Sequence, residues 1–111
     1  MEAKVNVKKN EIWLVNLDPT IGSEIRKSRP CVVVSPDAMN KFLATVIVAP
    51  FTSTQKNYPS RVDSIFQGIP GQIALDQLRA VDKARLTKKL GLLDKQATED
   101  VRAVLTTMFS A

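Results

Sequence analysis

The sequence predicts a mainly β fold, in which a small, strongly bent antiparallel sheet or barrel is followed by one C-terminal helix. Short apolar runs rich in β-branched residues alternate with polar turns, and only the last segment has a helical period. Prolines at 19, 30, 36, 50, 59 and 70 are expected at the edges of these runs, where a missing N–H does least harm. With 111 residues, the chain has room for a single compact domain, residues 1–111.

The strands are predicted from β-rich runs bounded by turn residues. Ser35-Pro36-Asp37 is interpreted as the stop after the second run, and a short helical turn is expected at Asp82–Leu86. The predicted strands are, in order, Ile12–Val15, Cys31–Val34, Leu43–Phe51, Ser60–Ile65 and Gln72–Leu78.

The last segment predicts an amphipathic helix. Its apolar residues follow i, i+4, i+7, i+8, i+11 spacing, which places them on one helix face. Asp94 can cap the start of the helix, and Glu99 and Asp100 lie early, where the helix dipole favours acidic residues. The helix is expected to pack on the sheet, with a partner interface as the second interpretation. The apolar face consists of Ala97, Val101, Val104, Leu105 and Met108.

Composition narrows the chemistry and the compartment. Sixteen Lys and Arg against eleven Asp and Glu give a net charge of +5, which favours anionic partners such as nucleic acid. The chain has no histidine and one cysteine, so a zinc site is close to excluded, and we expect no metal and no cofactor. The lone Cys31 favours a reducing cytoplasm. No apolar run is long enough to span a membrane, and residues 1–5 show no signal-peptide core.

Two segments concentrate the positive charge. The polar loop Thr20–Arg29 is too long for a tight hairpin turn, and long loops in small domains are commonly functional or mobile. The second segment is interpreted either as solvated surface or as a track for RNA. Its cations are Arg79, Lys83, Arg85, Lys88 and Lys89.

Single residues in these segments leave their roles open. Arg29 suits bidentate contact with a phosphate, but a structural ion pair with Glu24 is the commoner arrangement. The Thr52 hydroxyl can donate to a phosphate or satisfy a local turn. Cys31 is interpreted as an inert core thiol, and Trp13 as a core residue rather than a platform for a base.

In combination, these signals resemble a known family. The segments Glu11–Glu24, Arg29–Ser35, Val48–Ser53 and Ile73–Asp82 are similar to the MazF/PemK family of toxin endoribonucleases. The most specific part is the G-S-E-x4-R-P block that begins at Gly22. The resemblance extends from Glu11 to the final helix.

The resemblance implies a fold, an activity and partners. The fold is an SH3-like, CcdB-type barrel with a C-terminal helix, working as a homodimer. The activity is metal-independent cleavage of single-stranded RNA at short motifs, which inhibits translation and growth. Attack by the 2′-OH leaves a 2′,3′-cyclic phosphate and a 5′-OH. A cognate antitoxin blocks the site, usually through a disordered acidic segment.

The resemblance also implies site residues. Arg29 stabilises charge on the phosphorane, Thr52 donates a hydrogen bond to the phosphate, and Glu24 is the candidate proton acceptor. Substrate contacts are expected from a further set, which consists of Ser23, Lys27, Ser53, Gln77 and Arg79.

The chain departs from the family pattern in three places. Asn10 replaces a usual glycine, which alters a turn. The branch typified by PemK has a loop histidine and an arginine where this chain has Ser23 and Ala74, so the chain resembles the MazF branch. Without an arginine at position 74, Asp76 is expected to lack its partner and is assigned no catalytic role.

Three alternatives to a ribonuclease remain open. The first is a non-catalytic, basic barrel that binds nucleic acid. The second is a toxin directed at gyrase, like CcdB, in which Arg29 and Thr52 have no particular role. The third is an inactive relative that still binds an antitoxin.

Overall fold

The structure is a computed structural model that describes residues 6–110, and these residues form seven strands, two α-helices and two 3₁₀ turns. The helices are α1 (Asp37–Phe42) and α2 (Lys95–Met108), and the 3₁₀ turns cover Leu75–Gln77 and Lys83–Arg85. The strands are β1 (Glu11–Asn16), β2 (Ser28–Val33), β3 (Thr45–Thr52), β4 (Arg61–Phe66), β5 (Ile69–Ala74), β6 (Arg79–Asp82) and β7 (Leu86–Leu92).

All strand pairs are antiparallel, and β3 is the centre of the sheet. The order is β4-β5-β3-β2-β1-β7, with β6 also paired to β3. One edge of β3 pairs with β2, and the other edge pairs first with β6 and then, from Phe51, with β5. This change of partner bends the sheet, so the predicted small, bent antiparallel sheet with a C-terminal helix is confirmed.

Three prolines lie inside strands, which corrects the expectation that all six lie at strand edges. Pro30 is in β2, Pro50 is in β3, and Pro70 is in β5, where it pairs with β4 alone. Pairing of β2 with β3 begins only at Cys31, so Pro30 pairs on one side alone. Pro50 likewise pairs with β2 alone, because the pairing of β3 with β6 ends at Val48 and its pairing with β5 begins at Phe51. Each proline therefore occupies a position where one strand edge needs no donor.

The predicted elements are confirmed up to the fifth strand, which is wrong in its second half. That strand ends at Ala74, and the chain then turns through Leu75–Gln77. The stop predicted at Ser35-Pro36-Asp37 is confirmed, since β2 ends at Val33, but the short helix α1 that follows and the strands β6 and β7 were not predicted. The helical turn expected at Asp82–Leu86 is present at Lys83–Arg85, where the Asp82 side chain accepts from the Ala84 N–H.

The core consists of two clusters, and alternate residues of β2 face each of them. Val32 belongs to the cluster beneath α2, while Cys31 and Val33 belong to the second cluster. The predicted face of α2 is buried at Ala97 and Val101 but exposed at its C-terminal end. The Asp94 carboxylate caps this helix by accepting from the Ala97 N–H at 2.8 Å, as predicted. No helix within residues 6–110 is long and apolar enough to cross a membrane.

Candidate active site

Arg29 of β2 and Thr52 of β3 line the same pocket. β2 and β3 pair through Cys31↔Pro50 and the two pairs that follow it. This pairing ends at Cys31, and two residues earlier in β2 Arg29 pairs with Val15 of β1. On the far side of β3, Thr52 pairs with Gln72 of β5. Because directly opposite residues share a face of the sheet, the side chains of Thr52 and Gln72 are neighbours.

A pocket of about 200 Å³ opens between Arg29, the end of β3 and the β4–β5 hairpin. Its polar side is formed by Arg29, Thr52 and Ser53, and its apolar side by residues at the end of β3 and in the β4–β5 hairpin. The ring centroids of Phe51 and Phe66 are 5.9 Å apart. The structure therefore brings together three of the predicted site residues. The lining residues are Arg29, Pro30, Phe51, Thr52, Ser53, Phe66, Gln67, Ile69, Pro70 and Gly71.

Arg29 is half-buried, and its guanidinium is partly engaged within its own loop. Its Nε donates to the carbonyl oxygen of Arg26 at 2.9 Å, which leaves both Nη groups to contact a ligand. Within residues 6–110, the ion pairs are Arg61–Asp76 and Lys89–Glu11, so the alternative pair between Arg29 and Glu24 is not formed.

Thr52 is 7% exposed. Its hydroxyl can take both roles suggested by the sequence, a local turn and donation to a phosphate. Oγ1 accepts from the Thr54 N–H at 3.2 Å, which closes a local turn. A hydroxyl has one proton and two lone pairs, so accepting this bond leaves the proton to be donated to a phosphate.

The remaining predicted residues of the first loop do not line the pocket. Glu24 closes a turn, because its Oε1 accepts from the Ile21 N–H at 2.6 Å and its own N–H donates to the Ile21 carbonyl. Ser23 is exposed within that turn, and the Lys27 carbonyl closes the base of the loop by accepting from the Leu17 N–H. Gln77 Oε1 accepts from the Ile25 N–H at 3.3 Å and ties the loop to the turn after β5.

In the second basic segment, from Arg79 to Lys89, most of the cationic side chains bind groups of the protein itself and do not form an open surface track. Arg79 donates to the Leu17 carbonyl and Arg85 to the Asn16 carbonyl, each at 3.0 Å. Lys83 donates to the Asn40 carbonyl, and Lys89 forms an ion pair with Glu11. The two arginines therefore anchor the stem of the loop that leads to Arg29.

Cys31 is fully buried between β1 and β3, as expected for a core thiol. Burial raises the pKa of its thiol to about 12, although the nearby guanidinium groups of Arg79 and Arg29 act in the opposite direction. The thiol is therefore protonated at neutral pH and does not act as a nucleophile.

Trp13 is half-buried, and its indole N–H donates to Glu11 Oε1 at 3.0 Å. Glu11 is 4% exposed and also accepts from the Lys8 N–H at 2.8 Å. Burial raises the pKa of Glu11, but the Lys89 ion pair and these hydrogen bonds outweigh it and hold the pKa below the ordinary value of 4.5. This network fixes the start of β1.

The lowered pKa of Glu11 predicts a loss of stability in acid. The contribution is fully present above pH 4.5, the ordinary value, and is lost as the pH falls through the lower folded-state pKa. Glu11→Gln is expected to be less stable at pH 7 by about 1–3 kcal/mol and to depend less on pH below 4.5. Urea unfolding across this range measures both effects. If the free energy of unfolding fell equally steeply with falling pH in both proteins, Glu11 would not be the source of the acid sensitivity.

Asp76 has an arginine partner, which corrects the expectation that it lacks one. Arg61 lies directly opposite Ala74 in the β4–β5 pair, and its Nε donates to Asp76 Oδ1 at 2.7 Å. Burial raises the pKa of Asp76, but hydrogen bonds from Arg61 and Ser60 help to lower it overall. The two-residue Gln67-Gly68 turn fixes the hairpin register, so this pairing could have been found by counting back from the turn.

Comparison with known proteins decides the family. Residues 8–109 match the family described as "PemK-like, MazF-like toxin of type II toxin-antitoxin system". The chain belongs to this toxin family. Endoribonuclease PemK of Escherichia coli is 32% identical over 113 residues, covering 96% of this chain and 85% of that protein. Endoribonuclease EndoA of Bacillus subtilis (strain 168) is 32% identical over 112 residues, covering 89% and 90%.

Solved structures of toxins share the fold. MazF from Deinococcus radiodurans superposes with a TM-score of 0.81 and 26% identity, covering 95% of this chain and 97% of that one. An endoribonuclease from a mycobacterial species, in complex with its cognate antitoxin, has a TM-score of 0.77 at 20% identity, covering 91% and 92%. PemK and EndoA have the same sequence identity to this chain, 32%, so identity does not separate the branches. Assignment to the MazF branch stays a prediction from Ser23 and Ala74.

Proposed function

We propose that this chain is the toxin of a type II toxin–antitoxin system and a sequence-specific endoribonuclease that cleaves single-stranded RNA. The proposal is carried by the Arg29–Thr52 pocket in a chain whose family and named relatives are toxins and endoribonucleases. Residues 1–111 act as one toxin domain in the cytoplasm, as a homodimer, without a cofactor. A cognate antitoxin holds the toxin inactive, and free toxin stops translation and growth.

The proposed reaction is an internal transesterification of the RNA. The 2′-OH oxygen forms a bond to the adjacent phosphorus while the bond from phosphorus to the 5′ oxygen breaks. The 2′-OH proton passes to a base, and the leaving 5′ oxygen takes up a proton, which gives a 2′,3′-cyclic phosphate and a 5′-OH. The phosphorane carries an extra negative charge, and its proposed stabilisers are the Nη groups of Arg29 and the Thr52 hydroxyl, a role supported by the pocket that both residues line.

Glu24 is proposed as the base, and its position sets a condition on that role. Its carboxylate accepts from the Ile21 N–H, so the loop must open this turn for Glu24 to reach the pocket. Hydrogen bonds of catalytic groups commonly tighten only when substrate binds. Ser23, Lys27, Gln77 and Arg79 lie in or beneath the same loop, where their proposed role is to contact the RNA on either side of the cut.

The apolar side of the pocket suits an unstacked base. Single-stranded RNA is bound by packing its bases on aromatic and apolar side chains while cations contact its phosphates. Phe66, Ile69 and Pro70 provide the apolar surface within the same pocket as Arg29. The pocket therefore combines a place for a base with donors for the phosphate next to it.

The proposed activity is tested with a long single-stranded RNA incubated with the purified chain, once in EDTA and once with Mg²⁺. We expect discrete cuts in both reactions, with 5′-OH and 2′,3′-cyclic phosphate ends. RNA that is bound but left intact would favour the non-catalytic barrel. Intact RNA together with DNA damage in cells that express the chain would favour a gyrase-directed toxin.

Loss of the Thr52 hydroxyl is expected to slow cleavage, though less than loss of Arg29. Thr52→Ala removes one donor to the phosphorane, and we expect a fall of about 10- to 10²-fold in the single-turnover rate. Thr52→Ser retains the hydroxyl and is expected to restore most of the rate. Equal rates for the alanine and serine variants, measured on folded protein, would show that the hydroxyl plays no part.

A further inference from the structure

Arg61 is a buried cation that the proposed reaction does not use. Its side chain is only 7% exposed, and its guanidinium makes contacts in several directions. Nε and Nη2 donate to the two carboxylate oxygens of Asp76 at 2.7 and 3.3 Å. Nη1 donates to the Thr54 carbonyl at 3.3 Å and to Gln72 Oε1 at 3.4 Å, and the group lies 5.3 Å from the centroid of the Tyr58 ring.

Gln72 extends these contacts to the loop between β3 and β4, residues 53–60. Its side chain is buried, and Oε1 accepts from the Lys56 N–H at 3.0 Å. Nε2 donates to the Lys56 carbonyl at 3.1 Å and to Asp63 Oδ1 at 2.9 Å. Together, Arg61 and Gln72 hold the backbone of this loop at Thr54 and at both polar groups of Lys56.

The loop backbone leads directly to the proposed site. Arg61 Nη1 binds the Thr54 carbonyl, and the Thr54 N–H in turn donates to Thr52 Oγ1 at 3.2 Å. The position of residue 54 therefore helps to orient the Thr52 hydroxyl. A partly buried ion pair is weak evidence for added stability, because desolvation offsets much of the attraction. Its geometry is better explained by placement of this loop.

We infer that Arg61 and Gln72 are positioning residues that fix residues 53–60, so that the Thr52 hydroxyl points into the pocket. Asp76 orients Arg61 and takes no part in proton transfer. This inference rests on the proposed function, because the pocket is assigned to RNA cleavage. Lysine at position 61 keeps the positive charge but lacks the planar fork that reaches Asp76 and Thr54 together.

One test of the positioning role needs no RNA. Amide hydrogen exchange of the whole chain is expected to show protection at Lys56, and loss of that protection in Arg61→Lys and Gln72→Met, with the amides of β1 and α2 unchanged. Gln72→Met keeps the Arg61–Asp76 pair and serves if the Arg61 variant fails to fold. Protection at Lys56 that is unchanged in a folded variant would overturn the inference, whether or not the chain cleaves RNA.

The second test links Arg61 to Thr52 through cleavage rates. Arg61→Lys is expected to lower kcat by about 10-fold, within the loss expected for Thr52→Ala, with little change in KM for RNA, because a small shift of a reacting group slows the reaction. In that background, Thr52→Ala is expected to cost far less than it costs in the wild type. The same cost in both backgrounds would overturn the inference. Arg102→Lys, on the exposed side of α2, is the matched control and is expected to change neither constant.

Discussion

Replacing Arg29 with alanine is expected to lower the single-turnover rate of RNA cleavage by at least about 10²-fold. Removing one preorganised donor to a developing oxyanion typically costs 10² to 10³ in rate. Arg29 is also the cationic group of the pocket that holds Thr52, so its loss leaves the phosphorane charge without a cation there. Arg29→Lys keeps the charge but not the bidentate geometry and is expected to fall between the alanine variant and the wild type.

The control for this prediction is Arg102→Ala, which removes the same charge from the exposed side of α2. It is expected to cleave at nearly the wild-type rate. Circular dichroism and thermal unfolding establish that each variant is folded. A folded Arg29→Ala protein that cleaves at the rate of the control would remove Arg29 from the site.

Gly71→Ala is expected to lower cleavage by about 10²-fold although glycine carries no functional group. A Cβ at this position would lie 2.7 Å from the Thr52 carbonyl oxygen and 3.4 Å from the Phe51 ring. No real Cβ contact is that short, so β5 must move away from β3 and displace Thr52. Displacements of about 1 Å in a reacting group cost this much in rate, and overpacking costs about 1–3 kcal/mol in stability.

Gly68→Ala separates displacement of Thr52 from simple destabilisation. Gly68 has φ of +78°, and no atom lies within 4 Å of a Cβ placed there. The substitution is expected to cost about 1–2 kcal/mol through backbone strain. Cleavage by the folded fraction is expected to stay near the wild-type rate. Equal losses of rate per folded molecule in the two glycine variants would contradict the steric explanation.

The fold could be predicted where local pattern decides it. β1 to β4 and α2 were predicted from apolar periodicity and from the turn residues between the runs. The cap was predicted from Asp94, an acidic residue just before the helical segment. β6 and β7 lie in the basic segment, where charged residues interrupt the apolar pattern. They form strands because β6 pairs with the free edge of β3 and β7 with the free edge of β1. Pairing between distant segments leaves no pattern in the local sequence.

The site was predicted less evenly. The resemblance singled out Arg29 and Thr52, which are 23 positions apart in the sequence and line the same pocket in the fold. Arg61 and Gln72 were missed, since their roles depend on contacts with Thr54, Lys56 and Asp76 across three elements. The position of Arg61 opposite Ala74 follows from the hairpin turn, but the contacts with Thr54 and Lys56 become visible only when the hairpin and the loop are folded together.

The most direct test of the account is a crystal structure of the chain with an RNA made uncleavable by a single 2′-deoxy nucleotide at a mapped cut site. We expect the phosphate following that nucleotide to lie within hydrogen-bond distance of an Arg29 Nη and of Thr52 Oγ1, with a neighbouring base against Phe66. A larger groove of about 640 Å³ lies beside α2 and contains none of the predicted site residues. If the scissile phosphate instead lay in that groove, or against the basic segment from Arg79 to Lys89, the Arg29–Thr52 pocket would not be the active site.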